Sequence, residues 1–186
     1  MRLRRKLHCL SPLNLTSSYF ELFECPVGYQ VDQEALSNKY LELQKAAHPD
    51  RFAAGSDQEK RFAAQMTARI NEAYETLGHP LKLAIYLLEE ENVEIEHNPT
   101  LDPMFLMEQI ELREELEEIG EAGEEGLGQL DQFRARGKKV LAALESEFAS
   151  AYPSQLETAE QVVYKMQFIH KLLNEAKQME ERILDY

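Results

Sequence analysis

Apolar residues recur along most of this chain at intervals of three and four, the spacing of helices packed on one side. Asp32 precedes a run with Leu36, Tyr40, Leu43 and Ala47 as its apolar positions, which predicts a capped helix. Ser56 and Glu59 form an S-x-x-E capping box. Phe62, Met66, Ile70, Ala73 and Leu77 follow on one face until Gly78 stops the run. A short helix over 80–91 gathers Leu81, Ala84, Leu87 and Leu88. From Glu89 to Thr100 the chain is polar and closes on Asn98-Pro99, a loop signal.

Three more helices are predicted. The first starts at Asp102-Pro103, an N-cap followed by a first-turn proline, and runs to about Ile119. Gly120, Gly123, Gly126 and Gly128 interrupt it. The second runs from about Leu130 to Tyr152, with Leu130, Phe133, Leu141, Leu144 and Phe148 on one stripe. The third opens at a capping box of Ser154 and Glu157 and runs to Leu184. Its stripe is Ala159, Val162, Met166, Ile169, Leu173, Ala176 and Ile183, close to a heptad seam. No run of strand length alternates with period two, and no internal repeat occurs. The expected fold is all-α: an N-terminal helical hairpin and a C-terminal antiparallel three-helix bundle.

The hairpin carries His48-Pro49-Asp50 at its tip. Pro49 cannot continue the helix before it, so the chain must turn there. His48 falls at a helix end, where it can complement carbonyls, and Asp50 is expected on a loop, free to accept hydrogen bonds from a partner's arginine. The same three residues also suit an ordinary helix end. Their placement between two amphipathic helices is what singles them out.

On the helix from Pro103, each residue advances roughly 100°. Phe105, Leu112, Leu116 and Ile119 fall within about 60° of one another and form the core face. Leu106, Met107 and Ile110 fall on the far side, with Glu111, Glu114 and Glu118. That is a second apolar strip, rimmed by carboxylates. Phe168 on the last helix is likewise about 120° off its own stripe. An outward apolar strip marks a contact surface, or else packing between domains.

Composition sharpens this. The chain has 186 residues, 44% hydrophobic and 29% charged, which suits a folded globular protein. No apolar run approaches the ~20 residues of a membrane span. Net charge is −14. Arg2, Arg4, Arg5 and Lys6 give residues 1–18 a charge of +4, so the remainder carries −14 − 4 = −18. Such a body does not suit phosphate backbones and favours partners with basic patches. Cys9 and Cys25 make neither a disulfide framework nor a C-x-x-C metal site. His8, His48, His79, His97 and His170 show no ligand spacing, and no serine or cysteine sits in a nucleophile motif, so no catalysis and no cofactor are expected.

Three stretches resemble a J-domain: Tyr19-Phe20-Glu21-Leu22-Phe23, the signature His48-Pro49-Asp50-Arg51-Phe52, and Ile70-Asn71-Glu72-Ala73-Tyr74-Glu75-Thr76-Leu77. The rest is similar to the HscB family, J-domain co-chaperones of iron–sulfur cluster assembly. That match rests on His79-Pro80-Leu81 with Ala84-Ile85-Tyr86-Leu87-Leu88, on Phe105 to Leu116, and on the ending Leu184-Asp185-Tyr186. The resemblance covers about residues 19–186. It implies that His48, Pro49 and Asp50 contact a DnaK-like ATPase chaperone, HscA, with Lys39, Lys45 and Arg51 as basic candidates beside them. It implies further that Leu106, Met107, Ile110, Glu111, Glu114, Glu118 and Phe168 hold the scaffold protein IscU. Ile110 stands where leucine is common, and the glycine-rich stretch is looser than a continuous family helix.

The expected organisation is a basic extension over 1–18, a J-domain with its linker helix over 19–91, a loop over 92–101, and the client-binding bundle over 102–186. The basic start fits a targeting peptide, a disordered tail or an upstream start codon. The expected setting is the bacterial cytoplasm, with the mitochondrial matrix as alternative. The expected function is an adaptor that brings IscU to HscA and stimulates its ATPase. The alternative is a general J-protein for unfolded clients, although this chain lacks the Gly/Phe-rich linker and cysteine-rich zinc module typical of those.

Overall fold

The computed structural model describes residues 16–96 and 101–185. The basic stretch before Thr16, with His8 and Cys9, lies outside them, as do His97, Asn98-Pro99 and Tyr186. Seven α-helices and no strand occur among the described residues: α1 (Tyr19–Phe23), α2 (Gln33–Ala47), α3 (Asp57–Gly78), α4 (Pro80–Glu90), α5 (Pro103–Glu121), α6 (Leu127–Ala151) and α7 (Leu156–Leu184). Two short 3-10 turns, Pro49–Phe52 and Gly123–Gly126, join α2 to α3 and α5 to α6. The chain divides into two compact units between Tyr86 and Leu87, inside α4 rather than in the loop after it.

In the first unit, α2 and α3 form the hairpin. Both starts are capped as the sequence predicts: Asp32 accepts from the backbone N–H groups of Glu34 and Ala35, and Ser56 and Glu59 close a capping box. Leu36, Leu43 and Ala47 of α2 are buried, as are Ala63, Met66, Ile70, Ala73 and Leu77 of α3. Phe62 is only half-buried, because Ala63 takes the place facing the core. Polar side chains then fix the register along one edge. Tyr40 stacks on Tyr74 at 4.1 Å, and the Tyr40 hydroxyl and Gln44 amide both donate to Asn71 Oδ1. Thr67 Oγ1 reaches the carbonyl of Ala47 at 3.3 Å. These bonds run α3 back along α2 and bring its first turns past the end of α2. Phe20, Leu22 and Phe23 of α1 complete the core, and Tyr19 stacks on Tyr86 at 4.5 Å.

In the second unit, α6 runs antiparallel to both α5 and α7. Arg134 pairs with Glu180 at 2.5 Å and Arg136 with Glu115, while Phe105 meets Phe168, and Met179 lies against Gly120. α5 and α7 therefore run the same way. The α5–α6 connection depends on two glycines. Gly123 has φ +59°, in the left-handed region, and a Cβ on Gly126 would sit 2.3 Å from the Ile119 carbonyl oxygen. Gly120 lies within α5, so the helix ends at Glu121, later than expected.

One other expectation is corrected. The Ser154/Glu157 capping box does not form: α7 starts at Leu156, its N-cap Gln155 has no side-chain cap bond, and the Gln155 N–H continues onto the Ala151 carbonyl at 2.8 Å. The turn takes one more residue than the motif allowed. The start of the linker is the loop the sequence predicts, and hydrogen bonds anchor it. Glu96 N–H donates to the Tyr164 hydroxyl at 2.9 Å, the Tyr152 hydroxyl donates to Glu91 at 3.3 Å, and Val93 N–H closes onto Leu88.

Candidate functional site

Two surfaces are built by these frames, one in each unit. At the hairpin tip, α2 ends at Ala47, and His48 leaves it with φ −54° and ψ 128°. Pro49 occupies the first position of a 3-10 turn, where a missing N–H costs nothing. The sequence places Asp50 on a loop; here it sits inside this turn. The Asp50 N–H donates to His48 Nδ1 at 3.3 Å, Arg51 N–H to the His48 carbonyl at 3.0 Å, and Ala53 N–H to the Asp50 carbonyl at 3.3 Å. His48 thus complements the next turn rather than the helix it ends. The α2 terminus is served by Arg51, whose guanidinium donates to the Lys45 carbonyl at 3.1 Å. The side chains left facing water are His48 and Asp50, 56% and 90% exposed. A backbone held by local bonds presents a carboxylate with almost no protein contact, a geometry that suits capture by a partner's donors.

The three basic candidates separate. Lys45 and Arg51 are exposed. Lys39 is not available: its side chain is 16% exposed and pairs with Glu24 at 2.9 Å and Glu42 at 3.5 Å. Burial works against its charge, but the hydrogen bond and attraction of Glu24, then of Glu42, hold its ammonium pKa above the ordinary value. Glu24 reaches it because it caps α1 in a left-handed conformation, φ 52°. Sequence spacing gave no sign of that approach.

The second surface lies on α5. Asp102 Oδ1 accepts from Met104 N–H at 2.7 Å and Pro103 opens the helix, fixing where the first turns point. Phe105, Leu116 and Ile119 are buried. Leu106 is 45% exposed, Met107 58% and Ile110 58%. The strip therefore lies outside the core of its own unit. Met104 adds 74% exposure one turn earlier, so four of eight exposed large hydrophobics among the described residues stand on α5. Such clustering is unlike the single exposed apolar residues of ordinary surfaces. Sequence reasoning missed Met104 because it fell in the capping turn, outside the wheel. Glu111, Glu114 and Glu118 are exposed and make no ion pair among the described residues.

Phe168 departs from expectation. It is 7% exposed and packs edge-on against Phe105, centroids 5.8 Å apart at 87°, with the Arg113 guanidinium 5.8 Å over its ring. A heptad seam describes a helix with one neighbour. α7 packs against both α5 and α6, so its buried face widens to take in Val163, Tyr164, Phe168 and Leu172. Phe168 lies beneath the strip, holding α5 in place, rather than on its surface.

The comparisons with known proteins cover both units. Residues 101–177 match the family model described as the HSCB C-terminal oligomerisation domain. The solved structure of chaperone HscB from Vibrio cholerae is 37% identical, with a TM-score of 0.81 over 90% of this chain and 99% of that one. Human co-chaperone protein HscB is 28% identical, with a TM-score of 0.82 over 90% of this chain and 84% of that one. The likeness thus takes in nine-tenths of the chain, and the chain belongs to the HscB family of co-chaperones.

Proposed function

We propose that this chain is an adaptor with no chemistry of its own. It binds the iron–sulfur scaffold IscU on the α5 surface and presents it to the DnaK-like chaperone HscA, whose ATPase the His48-Pro49-Asp50 turn stimulates. One observation carries the reading: two exposed surfaces of opposite character stand on separate compact units. One is an exposed carboxylate on a short turn, beside the His48 ring. The other is an aliphatic strip, Leu106, Met107 and Ile110, beside the free carboxylates Glu111, Glu114 and Glu118. Methionine and branched aliphatics suit an adaptable protein contact, and the acidic rim speeds encounter with a basic partner. One chain holding both partners raises the effective concentration of client at chaperone.

Affinity purification of the full chain from its native host tests this against the general J-protein reading. IscU and HscA are expected together. A broad mixture of unfolded polypeptides without IscU would favour the alternative.

A further inference from the structure

Charge is unevenly placed along this chain. Arg2, Arg4, Arg5 and Lys6 put four of the 20 basic residues within six positions, and no acid occurs before Glu21. Leu3, Leu7 and Leu10 stand among and after these cations, at intervals of four and three. Apolar residues at that spacing are how a segment lays one side into an apolar groove. α5 carries the opposite charge, with seven glutamates against one arginine, Arg113. Glu115 pairs with Arg136, and the other six make no ion pair among the described residues.

The exposed apolar side chains single out the same helix. Among the described residues Val27, Leu41, Val140 and Leu184 are exposed singly, on four different stretches of chain. Val140 follows Lys138 and Lys139, and Leu41 shares a helix stripe with Lys45, so cations stand beside both. Met104, Leu106, Met107 and Ile110 cluster within seven positions of α5. Glu111, Glu114 and Glu118 rim that cluster. It alone among the exposed apolar sites combines several aliphatic side chains with carboxylates free of ion pairs.

We propose that the chain's own segment from Arg2 to Leu10 docks on the α5 strip and competes with the scaffold for it. Leu3, Leu7 and Leu10 cover Leu106, Met107 and Ile110, and the four cations face Glu111, Glu114 and Glu118. This rests on the function proposed above and adds a regulation to it, because IscU must displace the segment. Both sides of the contact are written in this sequence: four cations and three leucines on one, three free carboxylates and three exposed aliphatics on the other. The competition lowers the apparent affinity for IscU in proportion to the fraction of chains whose strip is free. Salt screens the share held by the cations and leaves the share held by the leucines.

The test removes the leucines and keeps every charge, with Leu3→Ser, Leu7→Ser and Leu10→Ser together in the full chain. Without IscU, the methyl NMR signals of Leu106, Met107 and Ile110 should move relative to the parent. IscU affinity by calorimetry should rise roughly threefold to tenfold, as for a segment covering the strip about 70% to 90% of the time. A second variant, Arg2→Gln, Arg4→Gln, Arg5→Gln and Lys6→Gln, should gain affinity at about 0.05 M salt and gain less at about 0.5 M. Thermal unfolding of the same samples checks that each variant is folded. Unmoved methyl signals, or an IscU affinity unchanged or lowered in the leucine variant, would overturn the competition and leave the proposed function standing. Parental IscU affinity after Leu106→Ala, Met107→Ala and Ile110→Ala would overturn the proposed function, and the competition with it.

Discussion

The two surfaces achieve exposure by opposite routes. At the hairpin tip the backbone does the work: a proline, a 3-10 turn and three short-range hydrogen bonds hold Asp50 out, and its carboxylate meets only the neighbouring His48 ring, at 3.6 Å. On α5 the backbone is an uninterrupted helix, and the surface exists because one turn of it carries aliphatic side chains on the wrong side for the core. The tip therefore concentrates its function in one or two groups. The α5 face spreads it over several, and depends on the packing beneath. Chemistry that a single substitution removes belongs to the first kind, and graded loss of affinity to the second.

Phe168 sharpens the contrast most. Because it lies under the strip, Phe168→Ala should lower the unfolding free energy by about 3 kcal/mol, read by denaturant titration. Met107→Ala, on top of the strip, should change it by less than about 0.5 kcal/mol. Equal stabilities would show that Phe168 belongs to the surface after all. A smaller split is expected among the lysines. Lys39→Ala should cost about 1 kcal/mol of stability through the lost Glu24 pair while leaving ATPase stimulation intact, and Lys45→Ala the reverse. Loss of stimulation in a stable Lys39→Ala chain would return that residue to the contact.

Two weaker dependences separate the regions further. Raising salt from about 0.05 to about 0.5 M should slow IscU association several-fold by screening Glu111, Glu114 and Glu118; an unchanged on-rate would remove the acidic rim from the account. In the first unit, burial, then the charge of Glu72, raises the Tyr19 phenol from its ordinary 10.0 to about 12. The folded chain holds this proton after the unfolded chain has lost it. The stability Tyr19 contributes is complete below pH 10 and is lost as pH rises toward 12. Tyr19→Phe should flatten that loss in stability curves measured across the window, and an unaltered slope would assign it to other tyrosines.

Much of the fold was legible because its starts are chemically marked. Asp32, Ser56 with Glu59, and Asp102 with Pro103 are local signals that need no tertiary context. The α5 strip was legible for the same reason, since a helical wheel depends only on the local repeat. What was not legible depends on neighbours. The burial of Phe168 follows from α7 having two partners, the pairing of Lys39 from a left-handed residue at the end of another helix, and the anchoring of Glu96 from Tyr164, far along the chain. The capping box at Ser154 failed because a short motif cannot report how many residues the turn before it uses.

The central claim is that the two surfaces are separable. Asp50→Ala and the triple change Leu106→Ala, Met107→Ala and Ile110→Ala should be compared in the same two assays, IscU affinity by calorimetry and stimulation of the HscA ATPase by the chain without IscU. The account predicts a crossover: the first variant binds IscU as the parent does and stimulates nothing, while the second stimulates normally and binds IscU roughly 100-fold more weakly. Either variant losing both activities while folded, or neither losing any, would contradict it.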